Sequence, residues 1–577
     1  MVKRIVAVAT SFAAALVLLS ALSAGAASAA TCAGGNVDGQ NEMGSGPTAP
    51  NALPQHQQCF GTMFPNLPAF HYSEQASADL ANAMENPTPD PPGTDQGTPD
   101  DNPNLPAEYT YLGQFIDHNL DFDETPSPEA NVNPSTLTNF ESFRFDLNNV
   151  FGGGPSVDPQ LYAADGKHLL VTGTLGTPQA NGFPTVTNSP TGAFDLSRNA
   201  NGTANLVEPR DDENQIISQI SASLVAFYND FVDQGMGYAQ ARQLTENYWQ
   251  EVVLTDVLPA YVGQSTINQY LRQLPNGNFQ VHTPNLPNAN FTPIEFSVGA
   301  YRFGHALVRN EYHINDLLPP PGPDFDDNIP IFNDATFQFG DLTGGAPLQG
   351  TTADAAGNCT AAGAAQSTML CEQSTNHQIE WKYFVPQINA DTQLSNADCV
   401  AGGGAIINGS CTDPGINFAR ATQPTISPNL FNLPAFTIPG CTDAADPVCN
   451  GSADLIARDF ARGQFDGLAS GQAIAKALGC PVIPAASINP TSDAVFNTGT
   501  PLLYYVLAEA KQANATLGCV GKAIVAQTFI RVMWDTPNSI LHNGFTPNPA
   551  LTPLAPETPK FSFGDLLVDT KLAPRFS

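Results

Sequence analysis

Tyr109–Phe122 reads YTYLGQFIDHNLDF, with Gln114, Asp117 and His118 set among Tyr111, Leu112, Phe115 and Ile116. Residues three and four apart share a helix face. A helix here therefore gathers an amide, a carboxylate and an imidazole, flanked by apolar side chains. Two readings fit that face: a wall of a reaction pocket, or a core histidine satisfied by a nearby carboxylate.

Working outward, the chain has 577 residues, of which 42% are hydrophobic and 34 are Phe, enough to bury a sizeable core. The net charge is −33 although only 13% of residues are charged, so the acidity reflects scarce Lys and Arg rather than acidic blocks. A negative surface argues against nucleic acid and anionic membranes as partners. Fifty Pro and 48 Gly imply long irregular connections.

At the N-terminus, Lys3 and Arg4 precede an apolar run to about Leu22 and then the small residues AGAASAA. These are the parts of a secretory signal peptide, with cleavage expected near Ala29 or Ala30. No later apolar run is long enough to span a bilayer. The reading is 1–29 leader, 30–106 loop-rich arm and 107–577 catalytic domain, secreted and without stable membrane insertion. Ten Cys in an exported chain are read as disulfides between neighbours: Cys32–Cys59, Cys359–Cys371, Cys399–Cys411, Cys441–Cys449 and Cys480–Cys519. A metal site is the alternative, but no CxxC pair is present.

Helical periodicity is expected at about Gln75–Met84, in Glu213–Val232, at Tyr238–Val257 (ending before Leu258-Pro259), around Phe296–Val308, and in Asp454–Leu478 with a break at Gly467. Pro501–Ala513 and Gly521–Trp534 complete the set. Ser142–Asn148 alternates polar and apolar and is expected to be extended. Gly344–Cys371 reads as a Gly/Ala-rich insertion. The fold class is mainly α, a large single domain with long irregular loops and few short strands.

Of nine His, His118 and His305 lie in apolar helical contexts. Gly304 beside His305 removes a side chain where something flat could approach the backbone. Two such helices suggest the two sides of a haem, one imidazole on iron and the other free for acid–base work. HExxH, GxSxG and P-loop motifs are absent.

Three blocks carry a resemblance: Gly113-Gln114-Phe115-Ile116-Asp117-His118, Glu208-Pro209-Arg210-Asp211-Asp212-Glu213-Asn214 and Tyr301-Arg302-Phe303-Gly304-His305. Together with FGTMFPNLPAF from Phe60, Arg462-Gly463 through Gly467–Gln472 and the late FSFGDLL, they resemble the animal-type haem peroxidases of the peroxidase–cyclooxygenase superfamily, in particular its secreted bacterial branch. The resemblance implies a haem b enzyme that reduces hydrogen peroxide and oxidises a halide, thiocyanate or small organic donor through a ferryl intermediate. It implies His118 as distal base, Arg210 as the cation stabilising O–O cleavage, Gln114 as the residue organising water or halide, and His305 as iron ligand. Arg302 and Arg462 match residues near the haem propionates; ordinary salt bridges are the alternative. Asp117 and Glu213 match the positions that form ester bonds to haem, with hydrogen bonding alone as the other reading. Asn214 stands where a sulfonium bond forms in one relative, which excludes that bond here.

The sequence departs from the family twice. Asp459 replaces the usual Asn beside the proximal His, which raises the ligand's donor strength and predicts a lower iron potential. The family's calcium ligands map to Asn119, Ser142, the carbonyl of Arg144, Asp146 and Asn148. Asn119 replaces the usual Asp and leaves Asp146 as the only carboxylate of the five. Two other functions stand beside the peroxidase. Fatty-acid oxygenation needs a Tyr three residues before His305, where this chain has Arg302. A non-catalytic adhesion or matrix protein would not need Gln114, His118, Arg210 and His305 together.

Overall fold

A computed structural model describes residues 59–85, 101–123, 133–178, 184–188, 193–200, 202–315, 328–332, 342, 344, 378–388, 405–407, 410–412, 416–433, 454–554 and 560–573. The leader, the Gly/Ala-rich insertion and the Cys359–Cys371 and Cys441–Cys449 pairs lie outside these residues, as do the side chains of the Cys399–Cys411 pair. The Cys480–Cys519 disulfide is present, with its Cα atoms 5.8 Å apart. Cys59 is also disulfide-bonded, while its expected mate, Cys32, lies outside.

Among the described residues the architecture is mainly helical, and its strands pair only two at a time. Helix α1 (Glu74–Met84) is capped by Ser73, whose side chain accepts from the Ala76 N–H. Helix α2 (Glu108–Leu120) is the central element, burying Tyr111, Leu112, Phe115, Ile116 and Leu120. Phe115 stands edge-on to Trp249 with ring centroids 5.2 Å apart. Removing such a fully buried aromatic costs about 3–5 kcal/mol. Helix α3 (Gln215–Asp233) packs against α2 and against α4 (Tyr238–Glu251). Farther along lie α5 (Leu455–Phe465), α6 (Gly471–Leu478), α7 (Leu502–Ala513) and α8 (Cys519–Asp535). Gly467, at φ 74°, makes the turn between α5 and α6 where the sequence places the break. The disulfide ties the end of α6 to the start of α8 across 39 residues, a loop closure worth about 4 kcal/mol on chain entropy.

The N-terminal arm is stitched to the core by backbone pairing. Cys59–Gly61 runs parallel to Phe291–Pro293, and Asp101–Pro106 antiparallel to Phe418–Arg420. Among the described residues no helix is long and apolar enough to cross a membrane.

Four local expectations are corrected. Glu213 is not in the long helix: α3 begins at Gln215, because Asn214 caps it by accepting from the N–H groups of Ile216 and Ile217. Pro259 does not end the helical run. A π turn over Val252–Val257 carries the chain into Leu258–Val262, with Pro259 in the first turn of that segment, where no N–H is needed. Phe296–Val308 is not one helix but a turn at Ile294–Ser297, a 3₁₀ turn at Ala300–Phe303 and a short helix at Gly304–Leu307, broken at Gly299. Ser142–Asn148 is not extended, since Phe143 and Leu147 take φ of 50° and 52°. Both side chains are buried, so core packing offsets the backbone strain there.

Candidate active site

Helix α2, the turn Pro209–Asp212 and the Ala300–Leu307 segment all line one cavity of about 690 Å³. That size lies within the roughly 300–1,000 Å³ typical of cofactor and small-molecule sites. Gln114, Asp117, His118, Arg210, Glu213, Arg302, His305 and Arg462 all face it.

On α2, His118 is 4% exposed. Its Nδ1 lies 2.9 Å from Asp211 Oδ1, and Asn149 donates to the other carboxylate oxygen at 2.9 Å. Burial, and then the charge of Arg210, pushes His118 well below the ordinary imidazole range. Burial, and then the charge of Glu208, pushes Asp211 up. The histidine is therefore held neutral, with Nε2 as the ring nitrogen not taken by Asp211. Asp211 stands inside one of the three sequence blocks, where no local pattern marks it as a partner of His118. Its link to His118 spans 93 positions, a separation that no helical or strand period reports.

Arg210 is gripped at both ends. Its Nε and a terminal nitrogen donate to Glu208 at 3.0 and 2.8 Å, and the same terminal nitrogen donates to the Asp121 carbonyl at 2.8 Å. The guanidinium stacks over Phe122, 4.5 Å from the ring centroid. Glu208, in the same block, is likewise unmarked by any local pattern. Gln114 donates to Glu213 and accepts from Asn214 at 3.2 Å. Burial raises Glu213 to about 7, and burial followed by the charge of Asp121 raises Asp117 well above the carboxylate range.

The second half of the site comes from the Ala300–Leu307 segment and α5. His305 Nδ1 lies 2.7 Å from Asp459 Oδ2, and the other oxygen of Asp459 accepts from Arg302. Burial raises Asp459, but the charges and hydrogen bonds of His305 and Arg302 outweigh it, and the carboxyl sits below its ordinary value. Arg302 also donates to the Ser297 carbonyl at 3.1 Å, and Arg462 to Asp123 at 2.9 Å. Asp459 itself lies behind His305 rather than in the cavity wall.

A flat cofactor fits these residues. A Cβ built on Gly304, next to His305, meets no atom within 4 Å, so the missing side chain leaves cavity space open. With Nδ1 occupied by Asp459, His305 has Nε2 left for a metal. Arg302, Arg458 and Arg462 supply cations for carboxylate groups.

The residues expected to ligate calcium sit near one another but bond among themselves. Asn119 donates to Asn148 at 2.9 Å and Ser142 to Asp146 at 2.9 Å, and Asp146 also accepts from the Asn148 N–H at 3.3 Å. Among the described residues, no group of three or more His, Cys, Asp or Glu side chains is arranged to hold a metal ion.

Residues 218–384 match the family model of the animal haem peroxidases. That segment contains Arg302 and His305, whereas His118, Arg210 and Asp459 fall outside it. No curated protein matches the chain in sequence. Among solved structures, fatty acid alpha-dioxygenase from Arabidopsis thaliana superposes with a TM-score of 0.51 at 12% identity, over 89% of this chain and 78% of that one. Peroxidase A from Dictyostelium discoideum gives 0.49 at 13% identity, over 90% and 94%. Fatty acid alpha-dioxygenase from Oryza sativa gives 0.47 at 13% identity, over 91% and 85%. Residues 218–384 thus match the animal haem peroxidase family model, and the mainly helical fold is shared with the Arabidopsis fatty acid alpha-dioxygenase over 89% of the chain.

Proposed function

We propose that the chain is a secreted haem peroxidase that reduces hydrogen peroxide and oxidises a halide, thiocyanate or small organic donor. The observation that carries this reading is the meeting of two histidines in one cavity, each with its own carboxylate: His118 with Asp211, and His305 with Asp459.

His305 Nε2 would hold the iron of haem, and Arg302 and Arg462 would face its carboxylates. Haem, when bound, supplies the redox centre that peroxide reduction requires. The neutral His118 takes the peroxide proton at Nε2 while Asp211 fixes the ring through Nδ1. Arg210, held by Glu208 and Asp121, presents a preorganised positive charge to the oxygen that leaves with the bonding electrons. His118 then returns its proton to that oxygen. The Gln114 amide, oriented by Glu213 and Asn214, positions water or a small anion. Asp117 and Glu213 are proposed as ester partners of the cofactor. Calcium at the loop around Asp146 is proposed as well, with metal analysis after mild chelation as its test.

The oxygenase reading needs a radical-forming tyrosine at position 302. That position is an arginine paired with Asp459, and the Tyr301 phenol next to it donates to the Gly113 carbonyl at 3.1 Å.

The test is the full chain purified with haem supplied. A Soret band with peroxide-dependent oxidation of iodide and a phenol is expected. Absence of haem would sink the proposal, and haem without peroxide turnover would favour an oxygenase or a binding protein.

A further inference from the structure

One cluster of titratable groups outside the cavity has no part in the peroxide chemistry above. Glu108 and Tyr109 open α2, and Asp256 lies in the π turn Val252–Val257. Such turns are rare and frequently mark functional positions. The Tyr109 phenol donates to Asp256 Oδ1 at 2.7 Å, and the other oxygen of Asp256 accepts from the Phe563 N–H at 3.1 Å. Glu108 is 1% exposed, and neither of its oxygens has a hydrogen-bond partner among the described residues. Burial, and then the charge of Asp256, raises Glu108 well above the carboxylate range. Burial raises Asp256 as well, and it is the hydrogen bond from the Tyr109 phenol that makes Asp256 the proton acceptor of the cluster.

A route from the cavity reaches this cluster. Tyr261 lines the cavity, stands edge-on to Tyr301 at 6.4 Å, and its phenol donates to the Tyr109 carbonyl. A Cβ at Gly113 would fall within 2.3 Å of the Tyr261 oxygen, so this glycine is what lets the phenol reach α2. Tyr109 precedes Gln114 by five residues, about 7.5 Å along the helix axis. A phenol that loses an electron becomes a strong acid, so the resulting radical persists where its proton has a base to go to. Tyr261 and Tyr301 donate to amide carbonyls, which are far weaker bases than a carboxylate. Tyr109 has the carboxylate.

We propose that Tyr109 is a second oxidation site, a one-electron relay from the cavity to donors too large to enter it. The proposal rests on the peroxidase reading. Reduction of hydrogen peroxide to two waters consumes two electrons and two protons. In the relay, one of those electrons comes from Tyr109 through Tyr261, and the phenolic proton passes to Asp256. Tyr109 is 8% exposed and Asp256 partly exposed, so a one-electron reductant docked over Asp256 returns an electron, Asp256 returns the proton, and the phenol is restored.

The test uses the haem-loaded full chain with two donors: iodide, which enters the cavity, and ferrocytochrome c, which cannot. Freeze-quench electron paramagnetic resonance after one equivalent of peroxide should show a phenoxyl radical. Tyr109→Phe should abolish that signal and slow ferrocytochrome c oxidation by about tenfold or more, with iodide oxidation within about twofold. Asp256→Asn should lower the radical yield with Tyr109 still present. An unchanged radical signal in Tyr109→Phe, or a parallel fall with both donors, overturns the relay. Wild type that oxidises iodide but forms no phenoxyl radical overturns the relay alone. Wild type that oxidises neither donor overturns the peroxidase reading with it.

Discussion

His305 Nδ1 lies 2.7 Å from Asp459 Oδ2, and the side chain of Asp459 is fully buried. A carboxylate accepting from the ring N–H gives the imidazole anionic character and strengthens it as a donor, which favours ferric over ferrous iron. Asp459→Asn should raise the Fe(III)/Fe(II) potential. A tenfold change in relative stabilisation corresponds to about 59 mV for one electron. Redox titration showing no upward displacement in the variant would contradict this.

His118 is depressed by burial and, second, by Arg210. A base with a lowered pKa stays neutral as pH falls past the ordinary imidazole value of about 6.5. The acid limb of the peroxide-cleavage rate should therefore lie below that value in the wild type. Arg210→Gln removes the second cause and leaves the first, so the limb should move to higher pH while the plateau rate falls. Stopped-flow rates across pH check both, and a limb that stays put would separate Arg210 from His118 electrostatically.

Gly304 opens onto cavity space beside His305. Gly304→Leu should fill that space, lowering haem occupancy at an unchanged far-ultraviolet circular dichroism spectrum. Full haem loading in this variant would show that the cofactor does not pass over Gly304.

Asp117 and Glu213 both sit on the cavity wall with carboxyls pushed up by burial. After peroxide turnover, haem should resist acid–acetone extraction from the wild type and be released from the Asp117→Asn, Glu213→Gln double variant. Full release from the wild type would leave these carboxyls as hydrogen-bonding groups only.

The sequence made the helical face of Gln114, Asp117 and His118 readable because a 3.6-residue period is a local property. It also placed α1, α7 and α8 within two residues of their ends. What escaped it depends on distant parts of the chain. The Asp211 partner of His118 and the Glu208 fork on Arg210 are fixed by where the Pro209 turn docks on α2. The π turn carries the chain through Pro259, which sequence rules treat as a stop. The bends at Phe143 and Leu147 put two bulky residues at positive φ because the core takes their side chains. An alternating pattern there imitated a strand.

The central claim is that His118 cleaves peroxide and His305 holds the haem, and one measurement separates these roles. His118→Ala, loaded with haem, is mixed with peroxide in stopped flow and followed at the Soret band. The variant should keep the haem spectrum of the wild type and react with peroxide slower by roughly 100-fold or more, the scale of general acid–base catalysis. A variant that reacts at the wild-type rate, or that loses its haem, would contradict the assignment.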